Sequence, residues 1–170
     1  IPVGMLSTAE YIQRQGCKTA IVNMGEMMFE SQHFDVERYL KQVEAEIYAI
    51  DLHWCQHTQG AISIAKLCKM LHPESTVILG GLTASRFHRE IIQKFPFVDI
   101  VVRGEAEEPI ALLVNGGRQL DKVPNLTYNG RNGKVCETLM IEPKESLDEY
   151  NFTKLDLLVH KGISTVASLV

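Results

Sequence analysis

The 170-residue chain has no two cysteines close enough in sequence to share a metal. Cys17, Cys55, Cys68 and Cys136 form neither C-x-x-C nor C-x-x-x-C-x-x-C. That excludes a zinc or iron–sulfur cradle built from this stretch alone. No apolar run approaches the roughly 20 residues needed to span a bilayer, and no signal peptide opens the chain. Positive charge is not in excess. The net charge is −4, basic residues are scattered, and no aromatics interleave with them, so nothing marks a nucleic-acid surface. Internal repeats and low-complexity tracts are also missing. So are a G-x-S-x-G elbow, a Rossmann G-x-G-x-x-G and a Walker A loop.

What is there is ordinary globular composition: 45% hydrophobic and 22% charged residues, enough for one core without covalent staples. The dispersed cysteines fit reduced, mostly packed thiols of a cytoplasmic protein. The chain opens at Ile1 without a methionine, which suggests a piece of something longer.

Helix and strand patterns alternate. GMLSTAEYIQRQG reads as a helix with Met5, Ala9 and Ile12 on one face and Gly16 as its stop. KTAIVNMG is a short buried strand, followed by a loop. DVERYLKQV is a helix with Asp35 as N-cap and Val36, Tyr39, Leu40 and Val43 as its stripe. IYAIDL is a strand, and TQGAISIAKLCKMLHP is a helix capped by Thr58 and stopped at Pro73. TVILGG is a strand, ASRFHREIIQKF one helix, VDIVVRG a strand and EAEEPIALLV a short helix. Strands apolar throughout belong to a parallel sheet covered on both faces. The expected fold is therefore α/β, a doubly wound (flavodoxin/Rossmann-like) parallel sheet over residues 1–115. A C-terminal β-hairpin extension (116–143) follows, with Gly130 and Gly133 in its turn. Residues 144–170 read as a linker. One element is missing. The chain opens with a helix, whereas the first strand of this topology is central, so residues before Ile1 or another segment must fill the gap.

Ligands of open α/β sheets bind beyond the carboxyl ends of the strands. Those ends carry Asn23 and Gly25; Asp51, Leu52, His53 and Trp54; Gly80, Gly81, Leu82 and Thr83; and Arg103, Gly104 and Glu105. Glycine after an apolar run lets backbone approach a ligand, although turns demand the same residues. Other chemistries compete at Asp51–His57. His53 and His57 are spaced for a metal on one helix face, with Asp51 or Cys55 as a third ligand. Asp51 sits where a receiver domain keeps its phospho-acceptor. Cys55 near His53 has the makings of a thiolate pair.

Four motifs in order resemble the N-terminal cobalamin-binding domain of cobalamin-dependent radical SAM proteins. They are Pro2-Val3-Gly4-Met5-Leu6-Ser7-Thr8-Ala9, Val77-Ile78-Leu79-Gly80-Gly81, Arg103-Gly104-Glu105-Ala106-Glu107, and the stretch from Val123 to Val135. The resemblance implies a corrinoid lying over the carboxyl edge, its nucleotide tail running down toward Gly80 and Gly81. It implies that a [4Fe-4S] cluster and SAM belong to a C-terminal radical SAM half, this chain's own partner domain, absent from the sequence. That half performs the radical step, often methylation, so this chain is expected to carry cofactor without being a complete catalyst. The chain departs from the better-known cobalamin domains in one respect. Their Asp-x-His-x-x-Gly follows the first strand, whereas Asp51-Leu52-His53 lies on the third and lacks the glycine. The cobalt-ligand role is therefore not carried over to His53. A receiver- or flavodoxin-like module, or a cobalamin fold that has lost its ligand, stands as the alternative.

Overall fold

The structure is a computed structural model that describes residues 3–116, 119–143, 146–159 and 168–169. Its strands are β1 (Ile21–Val22), β2 (Ile47–Asp51), β3 (Thr76–Gly80), β4 (Ile100–Val102), β5 (Leu126–Asn129), β6 (Val135–Glu137) and β7 (Ser168–Leu169). Its α-helices are α1 (Val3–Arg14), α2 (Met24–Glu30), α3 (Val36–Gln42), α4 (Thr58–Leu71), α5 (Leu82–Arg86), α6 (His88–Lys94) and α7 (Glu107–Gly116). The strands form one sheet in the order β1-β7-β2-β3-β4-β5-β6. From β1 to β4 all pairings are parallel; β5 and β6 join antiparallel. The doubly wound α/β architecture expected from the apolar runs is the one present.

Each face has its own core. Tyr48, Ile50, Val77, Leu79 and Val101 point to the side covered by α3, α4 and α6. Ile78, Ile100 and Val102 point to the other, where Ile12 of α1 and Ile110 of α7 meet them. The alternation follows from the two-residue period of a strand. On β2 it has a telling form: Tyr48 and Ile50 are buried, while Ile47, Ala49 and Asp51 are only half-buried. The face under α1 and α7 is therefore not closed over β2.

Three local expectations change. Asn23 does not end in a loop. Its side chain accepts from the N–H of Glu26 at 3.1 Å and caps the unexpected α2, in an Asn-x-x-Glu pattern that is itself a helix-start signal. Thr58 is the first residue of α4 rather than its cap: a 3-10 turn, Cys55–His57, leads into it, and the Thr58 hydroxyl donates to the Cys55 carbonyl at 2.6 Å. The expected single helix after β3 breaks at Phe87 into α5 and α6. The expected hairpin is present as β5 and β6, and it extends the sheet beyond β4.

The tail departs most from a linker. Leu157 is buried against Leu6, Ala9 and Ile21. Tyr150 meets Tyr11 edge-on with centroids 6.0 Å apart, and Arg14 donates to the Glu149 carbonyl. Polar composition concealed one apolar anchor and its aromatic neighbours. Finally, β7 occupies the central gap. Ser168 and Leu169 pair in parallel with Ile21 and Val22 on one side and with Ala49 and Ile50 on the other. A second segment thus satisfies ladder groups that would otherwise be unpaired.

Candidate functional site

A cavity of about 1930 Å³ runs along the open face of the sheet. Its floor is Ile47, Ala49, Ile78 and Ile100; α1 contributes Gly4, Met5, Thr8 and Ile12, and α7 contributes Glu107, Ile110 and Leu113. The paired positions from Ile47↔Thr76 to Asp51↔Gly80 make this groove about 13 Å long. The far end is polar, with Lys18, Glu46 and Ser75. The near end opens at the carboxyl edge of β2, β3 and β4, where Asp51, His53, Trp54, Gly80, Gly81, Leu82, Gly104 and Glu105 form the rim.

The two glycines of the rim do different work. A Cβ on Gly80 would meet nothing within 4 Å; it would project into the groove, on the same face as Ile78. Gly81 has φ +98, and a Cβ there would lie 2.8 Å from Asp51 Oδ1 and 2.9 Å from the His53 nitrogen. Only glycine fits at Gly81, because the turn into α5 is pressed against the end of β2. Hydrogen bonds fix that contact: Leu52 N–H to the Gly80 carbonyl at 2.7 Å, and Ala84 N–H to the Leu52 carbonyl at 3.1 Å.

Asp51 stands at the lip. Burial raises its carboxyl above the ordinary aspartate value, against the opposing pull of His53 and His57. The His53 ring lies edge-on to Trp54, centroids 4.8 Å apart, and Trp54 is 55% exposed. A large flat apolar surface beside the lip is suited to a flat ligand. On the opposite lip, Gly104 has φ +69 and its N–H donates to Ser85 Oγ at 3.0 Å.

The remaining strand-end residues point elsewhere. Asn23 and Gly25 belong to the start of α2 and do not line the groove. Leu52 is buried in the core of the other face. Thr83 turns away, donating to the His53 carbonyl at 2.9 Å with Cys55 Sγ 3.4 Å off. It lines a smaller depression of about 410 Å³ with Trp54, Arg86 and Phe87. Arg103 is buried and faces the hairpin. Its guanidinium donates to the carbonyls of Leu126 and Thr138 and pairs with Glu137 at 3.5 Å. Its charge holds the hairpin to β4, and it pairs neither with Glu105 nor with the groove. Its Nε is the buried side-chain nitrogen left without a partner among the described residues.

Two further residues meet beside the groove, which Glu107 lines and Ser7 does not, and neither is at a strand end. Ser7 and Glu107, both more than nine-tenths buried, share a hydrogen bond of 2.6 Å from Ser7 Oγ to Glu107 Oε1. Among the described residues no three His, Cys, Asp or Glu side chains converge, and His57 closes a 3-10 turn, so helical spacing from His53 does not hold.

Comparison with known proteins gives the family and the fold. The model of the B12 binding domain matches residues 1–114. The anaerobic magnesium-protoporphyrin IX monomethyl ester cyclase of Rubrivivax gelatinosus is 29% identical over 89 residues, covering 49% of this chain and 16% of the cyclase. An uncharacterized methyltransferase of Pyrococcus horikoshii is 26% identical over 160 residues, covering 92% of this chain and 34% of its own length. The chain thus spans about a third or less of these relatives. In structure it resembles the cobalamin-dependent S-adenosylmethionine radical enzyme OxsB, solved with aqua-cobalamin and S-adenosylmethionine bound. The TM-score is 0.69 at 16% identity, over 88% of this chain and 21% of OxsB. Family match and fold coincide, and the chain belongs to the B12-binding domain family.

Proposed function

We propose that this chain is the corrinoid-carrying module of a radical SAM enzyme, a methyltransferase or another radical-chemistry enzyme whose iron–sulfur half lies outside it. The observation that carries the reading is the groove under Gly80. It is apolar along its floor, open at a glycine rim, and unobstructed where a side chain would close it. A flat macrocycle with a flexible tail fits that shape: the ring over the rim, the tail along Ile47, Ala49 and Ile78.

Cobalamin, when bound, supplies a cobalt centre able to accept and hand on a one-carbon group. The chain's own residues bind and orient it. Trp54 offers an apolar plane at the edge, and Asp51 offers acceptor oxygens to ring amides. The groove floor excludes water from the tail. No cobalt ligand is assigned to His53, whose ring is set against Trp54. The [4Fe-4S] cluster and SAM belong to the partner domain, which would close over the rim. The receiver alternative wants a small hydroxyl residue ending the strand after Asp51 and Lys-Pro after the one following, where this chain has Gly80–Gly81 and Arg103–Gly104. We place the protein in the cytoplasm, where four free thiols stay reduced. No helix among the described residues is long and apolar enough to cross a membrane.

Titration with hydroxocobalamin, read by visible absorbance and calorimetry, tests the reading. Saturable binding with a spectral shift, abolished by Gly80→Val in a folded chain, supports it. No binding at high micromolar cobalamin contradicts it.

A further inference from the structure

Glu107 is a buried carboxylate without a cation. It is 7% exposed, and among the described residues no Lys, Arg or His pairs with it. Its Oε1 accepts from Ser7 Oγ at 2.6 Å and its Oε2 from the Ala106 N–H at 3.1 Å. Ser7, 1% exposed, also lies 3.0 Å from the Gly4 carbonyl, so its single proton is shared. A carboxylate offers about four acceptor positions, and two are used. Burying such a charge is costly unless its lone pairs are satisfied. The first turn of α7 offsets part of the cost. A staple between α1 and α7 would need no charge, since a neutral amide would serve. Glu107 nonetheless lines the groove, as do Gly4, Gly104, Glu105 and Ala106.

We infer that Glu107 is the polar anchor of the groove. Its carboxylate accepts a hydrogen bond from a neutral O–H or N–H donor of the bound corrinoid, and Ser7 is the positioning residue that holds it. The inference rests on the corrinoid reading above. Two parts of such a ligand carry that chemistry, the ribose hydroxyl of the nucleotide tail and the carboxamides at the ring edge.

The test compares hydroxocobalamin with aquacobinamide, which lacks the nucleotide, on the unaltered chain, Glu107→Gln, Ser7→Ala and Ser7→Thr. Dissociation constants come from visible absorbance, and urea midpoints report the fold. Glu107→Gln is expected to weaken cobalamin about tenfold or more. A loss for cobalamin alone assigns the ribose; an equal loss for both assigns a ring carboxamide. Ser7→Ala is expected to weaken binding about threefold, with Ser7→Thr recovering it. Unchanged affinity for both ligands in folded Glu107→Gln overturns the inference and leaves the corrinoid reading standing. If Glu107→Gln does not fold, unchanged affinity in folded Ser7→Ala overturns it. No binding by the unaltered chain overturns both.

Discussion

Ser7 and Glu107 stand one hundred positions apart and meet at 2.6 Å. Each belongs to a different motif, one opening α1 and one opening α7. Their contact is where the two helices that roof the groove are joined. The same roof leaves Ile47, Ala49 and Gly80 half-open beneath it, so packing and site share one set of elements.

The glycines of the rim are separable by stability. Gly81→Ala forces a Cβ into Asp51 and the backbone of His53 at a positive φ, and should cost about 2–4 kcal/mol in urea denaturation. Gly80→Ala meets no atom and should shift stability by less than about 1 kcal/mol. A comparable loss in both would show that Gly80 is not open.

Asp51 should lower stability at neutral pH. Its folded carboxyl titrates above the ordinary value because of burial, so the folded state holds its proton longer than the unfolded one. Stability is therefore greatest below the unfolded value of about 3.9 and falls as pH rises through the raised one. Asp51→Asn keeps an acceptor for His53 and should raise Tm at pH 7 by about 1–3 °C. It should also flatten the decline above about pH 4. A lower Tm at pH 7 would contradict this.

Glu137 carries the opposite sign. Burial works to raise its carboxyl, but the hydrogen bond and charge of Arg89, with His88 and Arg103, outweigh it and hold the value below the ordinary 4.5. Its contribution is complete above that value and disappears as pH falls through the lowered one. Glu137→Gln leaves buried Arg103 short of its counter-charge. It should cost about 1–2 kcal/mol at pH 7, with the gap closing as pH falls through the lowered value. A gap independent of pH would place the effect in packing.

Leu157 pins the tail to α1. Leu157→Ala should destabilise by about 2–3 kcal/mol and expose residues 146–159 to limited proteolysis before the sheet unfolds. Unchanged cleavage would mean that the tail is not held there.

Much of the fold and part of the site were legible in the sequence, and the rest was hidden for definite physical reasons. Apolar runs ending in Asp51, Gly80–Gly81 and Gly104 gave the rim, because glycine directly after a buried strand marks backbone that must come close to a neighbour or a ligand. Asn23 and Gly25 failed as rim residues because a capping pattern turns the chain into α2 within a residue of β1. Arg103 was misdirected because its partner, Glu137, comes from a hairpin that returns to the edge of β4. Leu52 fell on the far face and Thr83 turned to the His53 carbonyl, outcomes that position at a strand end does not reveal. The Ser7–Glu107 pair and the seat of β7 depend on which elements lie side by side. A two-residue strand such as Ser168–Leu169 carries no period to read.

The most direct test of a corrinoid on this rim uses the chain's single tryptophan. Trp54 stands at the rim, half-exposed, beside His53. Its fluorescence is followed during titration with hydroxocobalamin and corrected for absorption by free corrinoid. A bound corrinoid predicts saturable quenching with a matching visible spectral shift, both lost in Gly80→Val. Emission that stays unchanged after correction, or quenching that persists undiminished in folded Gly80→Val, would contradict a corrinoid seated on this rim.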